Sequence, residues 1–75
     1  PYFKDKLGNK TQAGDTVAIA TNVSGSPEMR IRIVEMVRLD STSYRQVKVT
    51  NPITGRSAYP NVNNMINITK IMKEV

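Results

Sequence analysis

The sequence predicts an all-β domain, most simply a closed barrel of five strands with a short 3₁₀ turn before the last strand. Three observations support this prediction. β-branched residues dominate the 75-residue chain, turn-forming residues interrupt them at short intervals, and no window of sufficient length has helical periodicity. Closing the sheet would also remove the exposed edges that strongly β-forming strands otherwise present.

The first half of the chain is predicted to begin with a turn-rich segment at residues 1–13, which includes a short edge strand at Tyr2 and Phe3. The first barrel strand follows at residues 16–21, and residues 22–28 are predicted to be a loop because they contain glycine and proline. The barrel itself spans residues 14–71 and residues 72–75 form a short charged tail, so the chain is one domain.

The longest strand is predicted at residues 29–39. Its first half alternates strictly between two arginines on one face and three apolar residues on the other, namely Arg30 and Arg32 against Met29, Ile31 and Ile33. The apolar face is predicted to be the core face. Because Ile33 and Val34 are both apolar, a β-bulge is predicted between them, after which Val34 and Met36 face the core.

The third strand is predicted at residues 44–50, with Val47 and Val49 facing the core and Gln46 and Lys48 facing outward. A turn that contains proline and glycine follows at residues 51–55.

The last part of the chain is predicted to close the barrel. Residues 57–59 form the fourth strand, residues 60–64 have room for a single 3₁₀ turn, and residues 65–71 form the fifth strand with Ile66 and Ile68 facing inward.

Two segments resemble the Src-homology-3-like (SH3-like) barrel superfold. Gly14-Asp15-Thr16-Val17 resembles the Gly-Asp-x-Val start of strand one, including that of KOW-type domains, and residues 58–68 (AYPNVNNMINI) resemble the closing segment of that fold. Residues 7–21 (LGNKTQAGDTVAIAT) are also similar to small orphan barrel proteins of large tailed phages, which implies a phage-encoded accessory protein.

The better-known branches of this superfold act through features that this chain lacks. Signalling SH3 domains bind proline-rich ligands in an aromatic groove, and the chain has no tryptophan. RNA-contacting KOW domains carry glycines through the first hairpin, and here they are sparse. The plasmid-type dihydrofolate reductase uses a Val-Gln-Ile-Tyr motif, of which Ser57-Ala58-Tyr59 keeps only the tyrosine. The resemblance therefore implies a fold and leaves function open.

Composition argues against an enzyme and against a cofactor. The chain has no histidine and no cysteine, which removes the usual general base, nucleophile and metal ligands, so no metal or cofactor is predicted. No glycine-rich phosphate loop occurs, and Asp15 is predicted to bond the backbone of its turn. The absence of cysteine and of any apolar run of about 20 residues predicts a cytoplasmic location, in the host cell if the protein is viral.

A formal net charge of +5, from 11 basic and 6 acidic residues, favours an anionic partner. The sharpest candidate surface is the outer face of the sheet, where Arg30 and Arg32 share one strand and Lys48 lies on its neighbour. A turn centred on residues 41 and 42 would pair Glu35 with Lys48. Gln46 adds a polar contact on the same face, and Tyr44 offers a stacking surface. The alternative interpretation is an ordinary solvated face.

Other basic residues extend this candidate nucleic-acid surface: Lys4, Lys6 and Lys10 in the N-terminal segment, and Arg56 beside the turn at 51–55. The predicted function is therefore a non-enzymatic module that binds nucleic acid mainly through phosphates. The alternative is a protein-interaction module that docks on or inhibits a larger machine, or a structural oligomer, with Val37 and Leu39 as an outward apolar contact.

Overall fold

The computed structural model describes residues 1–38 and 46–73, and the described chain is mostly β-structure. It contains seven strands: β1 (Tyr2–Lys4), β2 (Lys10–Gln12), β3 (Thr16–Val23), β4 (Ser26–Val37), β5 (Val47–Thr50), β6 (Ser57–Ala58) and β7 (Met65–Asn67). A 3₁₀ turn at Val62–Asn64 precedes β7 and a short helix, α1 (Ile68–Lys73), follows it. The described helices are too short to cross a membrane.

Five of these strands form one antiparallel sheet in the order β6-β5-β4-β3-β7, while β1 and β2 form a separate hairpin. The all-β prediction is confirmed, as is the 3₁₀ turn before the last strand. Within residues 1–38 and 46–73 no strand pairing joins β6 to β7, so the observed pairing is that of a five-stranded sheet and barrel closure stays a prediction.

The predicted loop at residues 22–28 is wrong, because β3 and β4 continue into a tight hairpin that pairs Val23 with Ser26. The two turn residues, Ser24 and Gly25, have φ angles of 52° and 81°. Positive φ at both central positions is typical of the type I′ turn, whose twist matches that of paired strands. The chain therefore reverses in two residues.

The bulge in β4 lies between Val34 and Met36, one residue later than predicted. Val34 pairs with Val49 and Val37 pairs with Val47, so the extra residue lets Val34 and Val37 face the same side although they are three residues apart. Val37 is therefore buried, which corrects the prediction that it faces outward, and Met36 is exposed rather than in the core.

The face assignment in the first half of β4 is also wrong. Arg30 pairs with Ile19 and Arg32 with Val17, and residues directly opposite each other share a face. The arginines thus project on the core side of the sheet, and the three apolar residues point outward with exposed fractions of 62% for Met29, 44% for Ile31 and 37% for Ile33. Val34 is buried and lies two residues after Arg32, so the two residues share a face and Arg32 lies on the core side.

The hydrophobic core gathers one or two side chains from most strands. Its members are Phe3, Val17, Ile19, Val34, Val37, Val47, Val49 and Met65, with Val62 packed against them. The inward placement of Val47 and Val49 confirms the prediction for the third strand. Phe3 comes from β1, so the N-terminal hairpin covers one side of the core.

Strand β7 is shorter than the predicted fifth strand and presents the opposite set of residues to the core. Met65 and Asn67 are buried, whereas Ile66 is half-buried on the other face and Ile68 already belongs to α1. The Asn67 side-chain oxygen accepts the amide of Lys70 at 3.1 Å, which is the bond of a helix N-cap. This cap explains why the strand ends and a helix begins.

A buried polar network joins the N-terminal hairpin to β7. The Asp5 carboxylate accepts the Asn67 amide at 2.6 Å and the Leu7 and Asn9 amides at 3.0 and 2.7 Å. The Asn67 side-chain amide donates to the Thr11 hydroxyl and to Asp15 Oδ2, both at 3.0 Å. Asp15 also accepts the Gln12 amide at 3.1 Å, so its predicted structural role is confirmed.

Candidate functional site

A cleft of about 630 Å³ opens on the core side of the sheet. Three arginines line it together with small and polar residues: Arg30, Arg32, Val49, Asn51, Thr54, Arg56, Ser57 and Ala58. Its described lining contains no acidic residue. The cleft therefore concentrates positive charge in a concave surface, where low-dielectric walls strengthen the field.

Strand register brings the arginines of β4 to this cleft. Val34 pairs with Val49, which in turn pairs with Ala58, so β4, β5 and β6 form one continuous floor. Arg30 and Arg32 lie on the same face as Val34 but beyond the buried cluster. Their side chains therefore emerge at the rim of the core.

The hairpin between β5 and β6 brings the third arginine. The Asn51 side-chain oxygen accepts the amides of Ile53 and Thr54 at 2.9 and 3.3 Å, and the Asn51 amide donates to the Arg56 carbonyl at 2.8 Å. An asparagine that bonds the backbone two residues on is a common way to build such a turn. Gly55, with φ of 77°, completes the reversal and returns Arg56 toward β4.

The three guanidinium groups differ in the ion pairs and hydrogen bonds that they form within the protein. Arg30 forms a 3.3 Å ion pair with Glu28, and both side chains are largely exposed, so the pair contributes little to stability. Arg32 is half-buried and donates to the Ile31 carbonyl at 2.7 Å. Among the described residues no carboxylate lies within ion-pair distance of Arg32 or Arg56. Each guanidinium has five donors, so these two retain capacity for an external anion.

A smaller pocket of about 130 Å³ adjoins the cleft and shares four of its lining residues. Its lining consists of Ile19, Thr21, Arg30, Arg32, Val49, Ala58 and Pro60. Most of this wall is apolar. The Thr21 hydroxyl is buried and has no hydrogen-bond partner within the described part of the chain.

Lys48 does not share a face with Arg30 and Arg32, contrary to the prediction. Lys48 pairs with Met36 in the strand register and lies on the outer face, opposite the cleft. Its ammonium lies 3.8 Å from the Glu35 carboxylate, so the predicted Glu35–Lys48 ion pair is present, but the bulge places Met36 rather than Glu35 directly opposite Lys48. The idea of one basic face that combines Arg30, Arg32 and Lys48 is therefore wrong.

Of the remaining predicted site residues that the structure describes, Arg56 lines the cleft and the others do not. Gln46 is half-buried and its carbonyl accepts the Arg38 amide at 2.8 Å. The predictions for Tyr44 and Leu39 lie outside the described residues. Lys4, Lys6 and Lys10 are exposed on or beside the N-terminal hairpin, and the Lys10 ammonium lies 4.5 Å from the centre of the Tyr2 ring.

On the outer face, Glu35 links three strands. Its carboxylate accepts the hydroxyls of Thr50 at 2.7 Å and Ser57 at 3.2 Å. The Thr50 hydrogen bond, helped by the Lys48 charge and by Ser57, holds the pKa of Glu35 below its ordinary value of 4.5 despite some desolvation. The group is therefore ionised at neutral pH and acts as a structural anchor.

Comparison with known proteins gives no relative to guide the interpretation of this site. No protein-family model matches the chain, and no curated protein and no solved structure matches it. Within the described residues there is no group of three or more histidine, cysteine, aspartate or glutamate side chains that could hold a metal ion. The cleft itself is thus the feature from which a function is inferred.

Proposed function

We propose that this domain is a non-enzymatic module that binds the phosphate backbone of a nucleic acid in the cleft of Arg30, Arg32 and Arg56. The observation that carries the proposal is that three arginines line one concave surface whose described lining contains no carboxylate. Arginine matches phosphate geometry with paired N–H donors, and such charge-assisted bonds are about twice as strong as neutral ones.

This mode of binding gives affinity with little sequence selectivity, because phosphates carry no base information. It also makes affinity depend on salt. Three phosphate contacts correspond to a slope of about −2 in a plot of log affinity against log salt for a single strand. The net charge of +5 adds a longer-range attraction that speeds encounter.

The test compares two double variants that remove the same charge. Arg32→Gln with Arg56→Gln removes two cleft cations, whereas Lys4→Gln with Lys6→Gln removes two exposed cations outside the cleft. Fluorescence anisotropy with a labelled short oligonucleotide is recorded between about 50 and about 200 mM salt. We expect the cleft variant to flatten the salt slope by about 1.4 and the lysine variant to change it much less. Equal effects of the two variants, or no binding of the wild type at low salt, would contradict the proposal.

We also propose that the five-stranded sheet curls into an SH3-like barrel. The strand order, the β4 bulge and the 3₁₀ turn before β7 support it, because a bulge bends a strand strongly enough for the two halves of a sheet to face each other. Nuclear Overhauser contacts between residues of β6 and β7 would be present in such a barrel. Their absence in an assigned spectrum would leave an open sheet.

A second candidate function is a homo-oligomer that assembles through the outer face of β3 and β4. The register pairs Thr16–Ile33, Ala18–Ile31 and Ala20–Met29 lie on the face opposite the core and carry no charge. Ala18 is buried, whereas Met29, Ile31 and Ile33 are exposed large apolar side chains. An uncharged patch can meet a second copy of itself without repulsion, and a contiguous exposed apolar patch often marks an interface. Sedimentation equilibrium that gives a monomer at high concentration would eliminate this candidate.

A further inference from the structure

We infer that the cleft and the adjoining pocket form a two-part site for single-stranded nucleic acid, in which the arginines hold a phosphate and the pocket holds one unstacked base. The inference rests on the proposed function and deepens it, because it names the kind of nucleic acid. The pocket is the one formed by Ile19, Thr21 and Pro60 together with residues of the cleft.

Continuity between the two cavities supports the inference. Arg30, Arg32, Val49 and Ala58 line both of them, so a ligand bound to the guanidinium groups is already at the mouth of the pocket. The change in lining is abrupt. The cleft adds Asn51, Thr54, Arg56 and Ser57, which are polar or charged, whereas the pocket adds Ile19, Thr21 and Pro60, of which only Thr21 is polar. A nucleotide has this same division between an anionic phosphate and a flat, weakly polar base.

The Thr21 hydroxyl is an independent observation at the same place. Thr21 lines the pocket, and its hydroxyl oxygen is buried and has no partner among the described residues. Buried polar atoms are nearly always hydrogen-bonded in native proteins, so an orphaned one needs an explanation. A base edge carries both donors and acceptors, and a hydroxyl that turns toward it can serve either as donor or as acceptor.

The size of the pocket selects single strands. Its volume of about 130 Å³ is roughly four times the share of one water molecule in the liquid, which leaves room for one planar group. A base inside a duplex is stacked and paired, and extracting it costs a few kcal/mol. A base in a single strand meets little of that barrier. Arginine planes at the pocket mouth supply a stacking surface of the kind used in RNA recognition.

The experiment compares three ligands that present similar phosphates: a short single-stranded oligonucleotide, an abasic strand of the same length, and the corresponding duplex. Anisotropy at fixed low salt measures each affinity. We expect the single strand to bind about 5- to 150-fold more tightly than the abasic strand, which is the range for one buried base. Equal affinities for the single strand and the abasic strand would overturn the inference while leaving the proposed function intact, and failure of all three ligands to bind would overturn both.

Two variants locate the base. Thr21→Val replaces an unpartnered hydroxyl by a methyl of the same shape, so the variant is expected to fold normally and to lose about two- to twelve-fold in affinity for the single strand alone. Thr21→Leu, at a position that lines the pocket and not the cleft, fills the pocket and is expected to lower affinity for the single strand to that for the abasic strand. Ala20→Leu, on the opposite face of the sheet, is the control and should change neither affinity. If Thr21→Val and Thr21→Leu weaken the abasic strand as much as the single strand, the pocket does not hold a base.

Discussion

The side chain of Asn67 connects three parts of the fold, and its removal provides the sharpest test of how this small domain is held together. In Asn67→Ala the backbone amide of residue 67 still donates to the Asp5 carboxylate, so this hydrogen bond between β7 and the N-terminal hairpin is kept. The side-chain bonds to Thr11, Asp15 and Lys70 are lost together. The substitution therefore removes the side-chain links from β7 to the N-terminal hairpin and to α1, while the backbone bond to Asp5 remains.

The expected loss in the free energy of unfolding follows from these bonds. An N-cap contributes about 1 kcal/mol, a neutral buried hydrogen bond about 1 kcal/mol, and a bond to the Asp15 carboxylate about 1.5–3 kcal/mol. The total is about 3.5–5 kcal/mol. A 75-residue domain has about 4–11 kcal/mol of stability in all, so the variant is expected to lie close to its unfolding threshold.

Urea denaturation followed by circular dichroism measures the loss. With an m-value of about 1 kcal/mol per molar for a small protein, the midpoint should fall by about 3 M or more. Asn61→Ala is the matched control, because Asn61 also caps a turn through its side chain, to the Asn63 amide at 2.9 Å, but is exposed. The control should lose only about 0.5–1 kcal/mol. If the two variants differ by less than about 0.5 kcal/mol, the buried network does not stabilise the fold as described.

Three further predictions concern the sheet. Ile19→Ala should lower the free energy of unfolding by about 2–5 kcal/mol and Ile31→Ala by less than about 1.5 kcal/mol. The difference is expected because the Ile19 side chain is buried and the Ile31 side chain points outward. Similar losses for the two variants in urea denaturation would refute the face assignment of β4. Ser24→Asn should raise the melting temperature, since asparagine tolerates the positive φ of 52° better than serine, and a lower melting temperature would argue against the type I′ turn. The lowered pKa of Glu35 means that its ion pair and hydrogen bonds stabilise the fold above pH 4.5 and that this contribution disappears as pH falls through the folded-state pKa. The stability difference between wild type and Glu35→Gln should therefore be largest at neutral pH and shrink below pH 4.5; a difference that does not change with pH would contradict this assignment.

Local patterns in the sequence predict local features of this fold well. The turn at residues 51–55, the 3₁₀ turn before β7 and the inward placement of Val47 and Val49 all depend on neighbouring residues. Glu35 and Lys48 are further apart in the sequence, but their ion pair can be predicted once β4 and β5 are taken as neighbouring antiparallel strands. Strand existence and turn chemistry are properties that a few consecutive residues decide.

The face of β4 that meets the core could not be predicted from alternation alone. A period of two shows that Arg30 and Arg32 share one face and that Met29, Ile31 and Ile33 share the other, but it does not say which face is covered. The register with Val17 and Ile19 and the position of the bulge decide that question, and both depend on long-range contacts. Alternation alone therefore does not predict the cleft, since the cleft lies on the core side of the sheet.

Two other features depend on contacts across most of the chain. The hydrogen bond between the Asp5 carboxylate and the Asn67 amide joins residues 62 positions apart, and no sequence pattern around either residue predicts it. Helix α1 has six residues, which is too short to show helical periodicity, and it begins where Asn67 caps it. One sequence feature does indicate where α1 begins, because Asn67 is of a residue type that is favoured at the N-cap of a helix.

The measurement that tests the central claim most directly is an NMR titration of the isotope-labelled protein with a short single-stranded oligonucleotide. The side-chain N–H signals of Arg30, Arg32 and Arg56 should shift together with the backbone amides of Val49 and Ala58, because all five residues line the cleft. Signals from the outward-facing residues of β4 should remain in place. Shifts confined to the N-terminal lysines or to the outer face, with the three arginines unchanged, would contradict the assignment of the cleft as the phosphate-binding site.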